Sequence, residues 1–469
     1  MKRFTFARCI ILVIAAIIAL PSAYAVDIDK KPNKRRQKIY NTQDEISRDT
    51  DSLQVLTTSQ PTDIEPEKAE QQIRQIERVN TPQQIDSVLA MWRTMTTIES
   101  YNTYFDEFLA TTSSNDTTLT TDKMDSVYMA RLQKLMSPIP LKYNADVRKA
   151  IERFTAKEFA PLLSNAYFYF PMIEEELIKE GLPIELRTLA LIESGLRPLI
   201  TSKSGAKGIW QFMPQTGKHY GLEINSLVDE RCNPILATRA ACKYLKSMYE
   251  AYGDWTLAIA SYNTGPGNIN KAIARLGGSP KEYKGTFWDI YHHLSSETRN
   301  YVPRYIGATY AFAYHKAHGV EYTTPPMPLA VDTVMINRPL HLEQVSSTID
   351  VDLELLKMLN PQYTLQIIPA TTKSYALTLP TERLTDFIAN EEAIHAKDSI
   401  YLKEYLVPEN IEKKKSTPPP AKYHTVKKGE TLGAIARRYG KTVKQLMNWN
   451  GIRNANTLRI GQRIRVSAN

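Results

Sequence analysis

Apolar residues recur at helical spacing through most of the middle of this chain. The pattern begins at MDSVYMARLQKL (124–135) and continues nearly unbroken to about Ala317, with Gly and Pro falling between the periodic segments. A mostly helical domain over 121–320 is predicted. Ahead of it, EKAEQQIRQIERV (67–79) and IDSVLAMW (85–92) have the same period. Residues 26–120 therefore read as a polar leader followed by a helical N-terminal region, with SSNDTTLTTD (113–122) as a break. Beyond TTPPMP (323–328) the pattern changes. Residues 331–382 alternate short apolar runs with one amphipathic stretch, VDLELLKMLN, stopped by Pro361, and SYALTLP then reads as a strand. A Pro/Lys-rich linker is expected over 403–420, ending in KKKSTPPP. In the last unit, 421–467, YHTV and QRIRV read as strands flanking helices that begin at Thr431 and Thr442. The fold class is mainly α, with small α+β units of βααβ order.

The first residues carry a different signal. Lys2, Arg3 and Arg8 precede the apolar run Ile10–Leu20, Pro21 breaks it, and Ala23-Tyr24-Ala25 follows as a small-x-small cleavage site. That is the layout of a signal peptide over 1–25, and the run is short for a membrane span. An uncleaved anchor is the alternative. The expected location is the periplasm or cell envelope, with no later transmembrane helix and with peripheral membrane association left open. Cleavage would lower the net charge from +9 to +9 − 3 = +6. Residues 421–469 hold eleven Lys or Arg and one acid, Glu430, or +10. Basicity thus belongs to the tail and calls for an anionic partner. Secretion excludes nucleic acid and favours a wall or membrane surface. Cys232 and Cys242 would survive processing. In an oxidising compartment they could pair, or they could be two buried small side chains.

LPIELRTLALIESGL (182–196) carries the candidate chemistry. Pro183 suits a helix start and Gly195 a helix end, and the apolar residues between them cover nearly every face. Glu193 stands in the final turn of this buried helix. Apolar surroundings and the negative end of the helix dipole both favour its protonated form. A carboxyl protonated near neutral pH is what cleavage of a glycosidic bond requires. Taken alone, the segment fits a solvent-pointing Glu better.

The motifs around it alter that reading. ALIESGL (190–196), SGAKGIWQFMPQTGKHYGL (204–222), DERCNP (229–234), AIASYNTGPGNI (258–269) and ETRNYVPRY (297–305) follow one another in order. Together they resemble the lytic murein transglycosylases of the soluble-lytic-transglycosylase-like family, over roughly 120–320. The resemblance implies a lysozyme-like helical domain with a saccharide cleft and Glu193 as sole catalytic carboxyl. It implies Ser194, Gln211, Met213, Tyr262, Asn263, Glu297 and Tyr301 as substrate-binding neighbours. Trp210 and Phe212 fit a core role, and Phe212 more so. Thr264 departs from the small residue often found there. The implied reaction cleaves the MurNAc-β-1,4-GlcNAc bond without water, leaving a 1,6-anhydroMurNAc end. A lysozyme-type hydrolase on a related core, with Asp229, Glu230 or Asp254 as a second carboxyl, and a non-catalytic wall-binding protein are the alternatives. Asp229 and Glu230 are expected to be structural. No cofactor and no metal are expected, since the eight His show no ligand spacing.

Residues 423–466 resemble a LysM module along their whole length. By that resemblance Gly429, Glu430, Thr431, Leu432 and Asn450 border a glycan-binding groove. Residues 331–382 resemble a degenerate LysM-like unit that lacks the GETL loop. The expected partner is the glycan strand of peptidoglycan, bound by a monomer.

Overall fold

The computed structural model describes residues 80–96, 121–280, 282–417, 422–439 and 441–467. The predicted signal peptide, the predicted leader to residue 79 and residues 97–120 lie outside the described residues. Helices dominate, in keeping with the mainly α class, and apolar side chains gather into three cores.

The first core belongs to the helical domain. Its helices are α2 (Thr121–Lys134), α3 (Ala145–Phe154), α4 (Ala160–Lys179), α5 (Arg187–Ser194), α6 (Pro214–His219), α7 (Pro234–Tyr252), α8 (Trp255–Thr264), α9 (Pro266–Arg275), α10 (Phe287–Ile290) and α11 (Ser296–Tyr314); α1 (Pro82–Thr96) precedes them. Local sequence sets the boundaries. Asn144, Asn233, Asp254 and Ser295 each stand just before a helix, and each side chain accepts a hydrogen bond from a first-turn amide. Pro234 and Pro266 occupy first turns, where no donor is lost. The helix α5 is all but encased: Leu189, Ala190 and Leu191 have no exposed surface and Ile192 only 2%. A helix hidden on every side has a fixed axis and rotation, so the direction of Glu193 is fixed with it.

The second core is built on strands β1 (Val331–Ile336), β2 (Leu340–His341), β3 (Ile367–Ile368) and β4 (Tyr375–Pro380) with helices α12 (Leu342–Ile349) and α13 (Leu353–Leu359). β1 pairs antiparallel with β4, Val331 opposite Pro380 through Ile336 opposite Tyr375, and β2 pairs with β3. The unit is larger than the 331–382 read from sequence. Helices α14 (Leu384–Ala389), α15 (Glu391–His395), α16 (Asp398–Tyr401) and α17 (Pro408–Ser416) follow, and Phe387, Ile394 and Ile411 enter the same core. The stretch 403–420 expected as a linker is thus helical over most of its length. Ile411 is fully buried, and Lys415 lies over the Tyr375 ring and pairs with Glu412. Ile411 among lysines, with Tyr405 packed on the same core and Glu412 bonded to Thr371, docks the segment, a signal that charge composition obscures.

Tight contacts join these two cores. The Asp229 amide donates to Gln362 O at 2.8 Å and the Thr364 amide to Leu227 O at 2.9 Å. Lys373 pairs with Glu223 at 2.5 Å. Helix α1 bridges them: Met95 joins the first core, Leu89 the second, and Arg93 pairs with Glu354.

The third core is the C-terminal βααβ module: β5 (Tyr423–Thr425), α18 (Leu432–Arg438), α19 (Val443–Asn450) and β6 (Arg463–Arg465), with β5 and β6 antiparallel. Thr431 and Thr442 cap the two helices as expected.

Cys232 and Cys242 do not pair; both are buried free thiols. The geometry forbids a bridge. Cys232 lies before the α7 cap and Cys242 is nine residues into that helix, so at about 1.5 Å per residue they are roughly 13 Å apart along the axis. A disulfide needs Cα atoms within about 7 Å. Burial pushes the two thiols up to about 11 and about 12, leaving them inert.

Candidate active site

A cavity of about 600 Å³ opens in the helical domain, and Glu193 lines it. Helix α5 ends there because Gly195 adopts φ 62° and its amide closes on Leu191 O at 2.9 Å. A side chain at Gly195 would carry the usual penalty of the left-handed region. Asn165 of α4, itself buried, donates to Gly195 O at 2.9 Å and fixes the turn from behind.

One face of α11 forms the wall opposite. Glu297, Tyr301 and Arg304 are spaced i, i+4, i+7, so they project together, and all three line the cavity. The Tyr301 hydroxyl donates to Glu193 Oε1 at 2.5 Å. Arg304 Nη2 donates to Ile192 O at 3.2 Å. Burial pushes the Glu193 carboxyl up to about 7. The Tyr301 hydrogen bond and the Arg304 charge oppose that rise, and the Glu297 charge adds to it. Glu193 is therefore a carboxylic acid poised near neutrality.

The GIWQF loop makes the floor. Gly208 has φ 85°, and a Cβ there would sit 1.7 Å from Arg231 O, so only glycine permits this approach. Arg231 holds the loop by donating to Gly205 O at 2.9 Å and Phe212 O at 3.0 Å. Arg231 in turn grips Asp229 through both carboxylate oxygens, at 2.8 and 2.9 Å, with Lys207 at 3.2 Å. Burial works against the Asp229 charge, but these two cations outweigh it and hold the carboxyl below its usual range. Gln211, at φ 48°, donates to Gly208 O and Ile200 O, which locks a conformation non-glycine residues avoid.

The predicted neighbours divide into two groups. Gln211, Met213, Tyr262, Asn263, Glu297 and Tyr301 all line the cavity with Glu193. Met213 is 40% exposed, an apolar surface at the opening. The Tyr262 hydroxyl donates to Trp210 O at 2.8 Å, and Asn263 Oδ1 accepts from the Thr298 hydroxyl at 3.1 Å. Ser194 is a correction. It has no exposed surface, and its hydroxyl donates to Ile209 O at 2.8 Å and accepts from the Arg197 amide. It pins the floor loop to the end of α5 rather than touching a ligand; a residue next to Glu193 on a helix points about 100° away from it. Trp210 and Phe212 are buried, as read, with Trp210 Nε1 bonded to Thr238.

Asp229, Glu230 and Asp254 do not reach the cavity. Glu230 accepts from the Glu223 amide at 2.7 Å and Asp254 caps α8. Among the described residues, Glu297 is the one further carboxylate lining the cavity. Arg304 was missed from sequence. Its position three residues after Tyr301 and seven after Glu297 on one predicted helix was the available signal.

In the C-terminal module the predicted groove residues serve the fold. Leu432 is 1% exposed in the third core. The Thr431 hydroxyl accepts from the Ala434 amide. Glu430 accepts from the Lys427 amide and is paired with His424 and Arg438. Asn450 bonds Leu446 O, Arg465 O and the Arg465 amide. The polar side-chain atoms of Glu430, Thr431 and Asn450 are thus engaged with the backbone or in ion pairs. Gly429, in the loop from Lys427 to Glu430, has φ 84°.

Comparison with known proteins is consistent with this division. Residues 170–284 match the transglycosylase SLT domain, residues 330–396 the LysM-like domain of lytic transglycosylase MltD, and residues 424–467 the LysM domain. The chain is 29% identical over 310 residues to membrane-bound lytic murein transglycosylase D of Escherichia coli (strain K12), a match covering 66% of this chain and 64% of that protein's length. It is 38% identical over 121 residues to peptidoglycan transglycosylase gp16 of Escherichia phage T7, covering 25% of this chain and 8% of that one. The 70 kDa soluble lytic transglycosylase Slt70 of Escherichia coli aligns in space over 56% of each chain at 15% identity, with a TM-score of 0.29, too low to bear on the fold. No described helix is long and apolar enough to cross a membrane. The chain thus carries an SLT domain followed by an MltD-type LysM-like domain and a LysM domain, and it spans just under two thirds of the length of the lytic murein transglycosylase it matches.

Proposed function

We propose that this protein is a peptidoglycan lytic transglycosylase of the periplasm or cell envelope, with Glu193 as its acid and base. The observation that carries the reading is Glu193 itself, a half-buried acid poised at about 7, held by Tyr301 in a cavity of sugar size. As acid, Glu193 gives its proton to the oxygen between MurNAc and GlcNAc, and that C–O bond breaks. The positive charge developing at C1 is spread over the ring and the neighbouring N-acetyl group. The C6 hydroxyl of the same MurNAc then bonds to C1, and its proton returns to Glu193. Atoms balance without water. The internal nucleophile is held near its target, an advantage of up to about 7–11 kcal/mol when well aligned. Tyr301 steadies the carboxylate between the two proton transfers. Gln211, Met213, Tyr262 and Asn263 contact the sugars.

Cleavage should fall as pH rises through about 7, where Glu193 loses its proton. Mass spectrometry of the digested wall is the first test. Fragments lighter by one water than hydrolysis products, without reducing MurNAc ends, are expected, and Glu193→Gln should lower the rate by about a thousandfold or more. Retained cleavage by that variant would remove Glu193 from the mechanism. A second reading, hydrolysis, is favoured by one observation: Glu297 lines the same cavity and could orient a water. Reducing ends that vanish in Glu297→Gln would establish it.

A further inference from the structure

The charge on Glu193 changes during the proposed reaction, and its surroundings must serve both forms. Tyr301, Glu297 and Arg304 of α11 face it, as do Tyr262 of α8 and Tyr244 of α7 within the cavity wall. Lys203 and Arg437 lie on the cavity lining as well. Arg304 differs from those two basic residues in being built into the scaffold. Its Nη2 holds Ile192 O at 3.2 Å, one residue before Glu193, so it grips the last turn of α5 directly. Its Nε is buried with no hydrogen-bond partner. An orphaned guanidinium donor beside a carboxyl group is costly unless the cation is needed there.

We propose that Arg304 is a positioning residue for Glu193: it clamps the turn that carries the acid and supplies the cation that the carboxylate faces after it has given up its proton. This deepens the transglycosylase reading and rests on it for the catalytic half of the argument. Burial alone favours the neutral acid, which helps the first proton transfer and hinders none until the carboxylate must exist in a dry site. Tyr301 gives that carboxylate one hydrogen bond. Glu297 repels it. Arg304 is the scaffold cation on the same helix face that offsets the repulsion, and it does so without locking Glu193 in its charged form, because no direct Arg304–Glu193 ion pair forms among the described contacts.

The test follows the Glu193 carboxyl carbon by NMR through a pH titration of the full chain labelled with carbon-13 glutamate, with Glu193→Gln used to assign the signal. Arg304→Met is expected to move the Glu193 midpoint upward by roughly one pH unit, and Arg304→Lys to restore most of it. On peptidoglycan, Arg304→Met is expected to lower kcat about tenfold or more and to move the high-pH limb of the rate profile upward in step, with KM little changed. If Arg304→Met does not fold, judged by circular dichroism, Arg304→Gln against Arg304→Lys makes the same comparison. A midpoint that stays put when the charge is removed overturns the proposal, as does a midpoint that moves equally in the Lys variant. The titration needs no turnover, so a protein that cleaves nothing would sink the transglycosylase reading while leaving the Arg304 result to stand or fall separately.

Discussion

The two βααβ units differ most where they are most alike. Each ends its second helix in an asparagine that staples the helix to the last strand. Asn360 donates to Leu356 O and Thr378 O and accepts from the Thr378 amide; Asn450 does the same with Leu446 O, Arg465 O and the Arg465 amide. The difference lies between first strand and first helix. In the middle unit that segment is β2, paired with β3, and His341 at its end already caps α12. The backbone groups that could meet a ligand are taken by a neighbouring strand. Gln344 on α12 is fully buried and donates to Ile394 O, so α15 covers that face too. In the C-terminal module the equivalent loop, Lys427 to Glu430, pairs with no neighbouring strand: Val426 bonds Gln462 and Gly461 at its base, and the loop closes on itself through Lys427 and Glu430. One unit has been absorbed as a brace for the helical domain. The other has kept an open surface.

Removing the open unit should have the largest effect. Deletion of 422–467 is expected to weaken binding to intact sacculi by roughly a hundredfold, because two linked sites bind far more tightly than one, and to leave cleavage of short soluble glycans near normal. A pelleting assay beside a soluble-substrate assay separates the two; equal losses in both would mean that the module is part of the brace. Next in size, Asn360→Ala should destabilise the body formed by the first two cores by about 2–3 kcal/mol, since a buried side chain loses three hydrogen bonds and the Thr378 amide and carbonyl lose this partner. Asn450→Ala should cost only about 1 kcal/mol, because Asn450 is half-exposed and water can replace it. Urea unfolding of the two variants checks both, and equal costs would contradict the claim that the asparagine of one unit is sealed in a core while that of the other is open to water.

How far the sequence revealed this depends on which kind of force set each feature. Helix boundaries in the first domain were legible where caps act locally: Gly195 ends α5 as read, while Pro183 heads the 3-10 turn Ile184–Leu186 that leads into it. The cavity lining was legible through motifs, six of seven predicted neighbours reaching it. Ser194 was misplaced because adjacency in sequence is not adjacency in space on a helix. The packing of 403–417 was hidden because a single buried Ile411 among lysines gives no period. The closing of the middle unit by β2 and β3 rests on two-residue strands, too short to show alternation. The pairing of cysteines was undecidable until the axial distance along α7 was known.

The smallest effect is also the one most specific to the open unit. Glu430 holds its loop by accepting from the Lys427 amide at 2.9 Å, with His424 Nε2 at 2.6 Å and the Arg438 cation adding to it. A carboxylate can only accept, so His424 Nε2 donates to it, and His424 Nδ1 is hydrogen-bonded to the Tyr439 hydroxyl at 3.0 Å. The amide bond first, then His424 and Arg438, lower the Glu430 carboxyl to about 2 from an ordinary 4.5. A depressed acid contributes stability that is present above its unfolded value and lost as pH falls through the folded one. The module should therefore weaken between about 4.5 and about 2 while the loop comes loose. Because 422–467 has its own core with Trp449 packed against it, thermal unfolding of that module can be followed by Trp449 fluorescence across this range. Glu430→Gln should be less stable than the parent above pH 5 and converge with it near pH 2. Curves that stay parallel over the whole range would show that Glu430 does not hold the loop, and the open surface of this unit would then need another explanation than a loop pinned only at its ends.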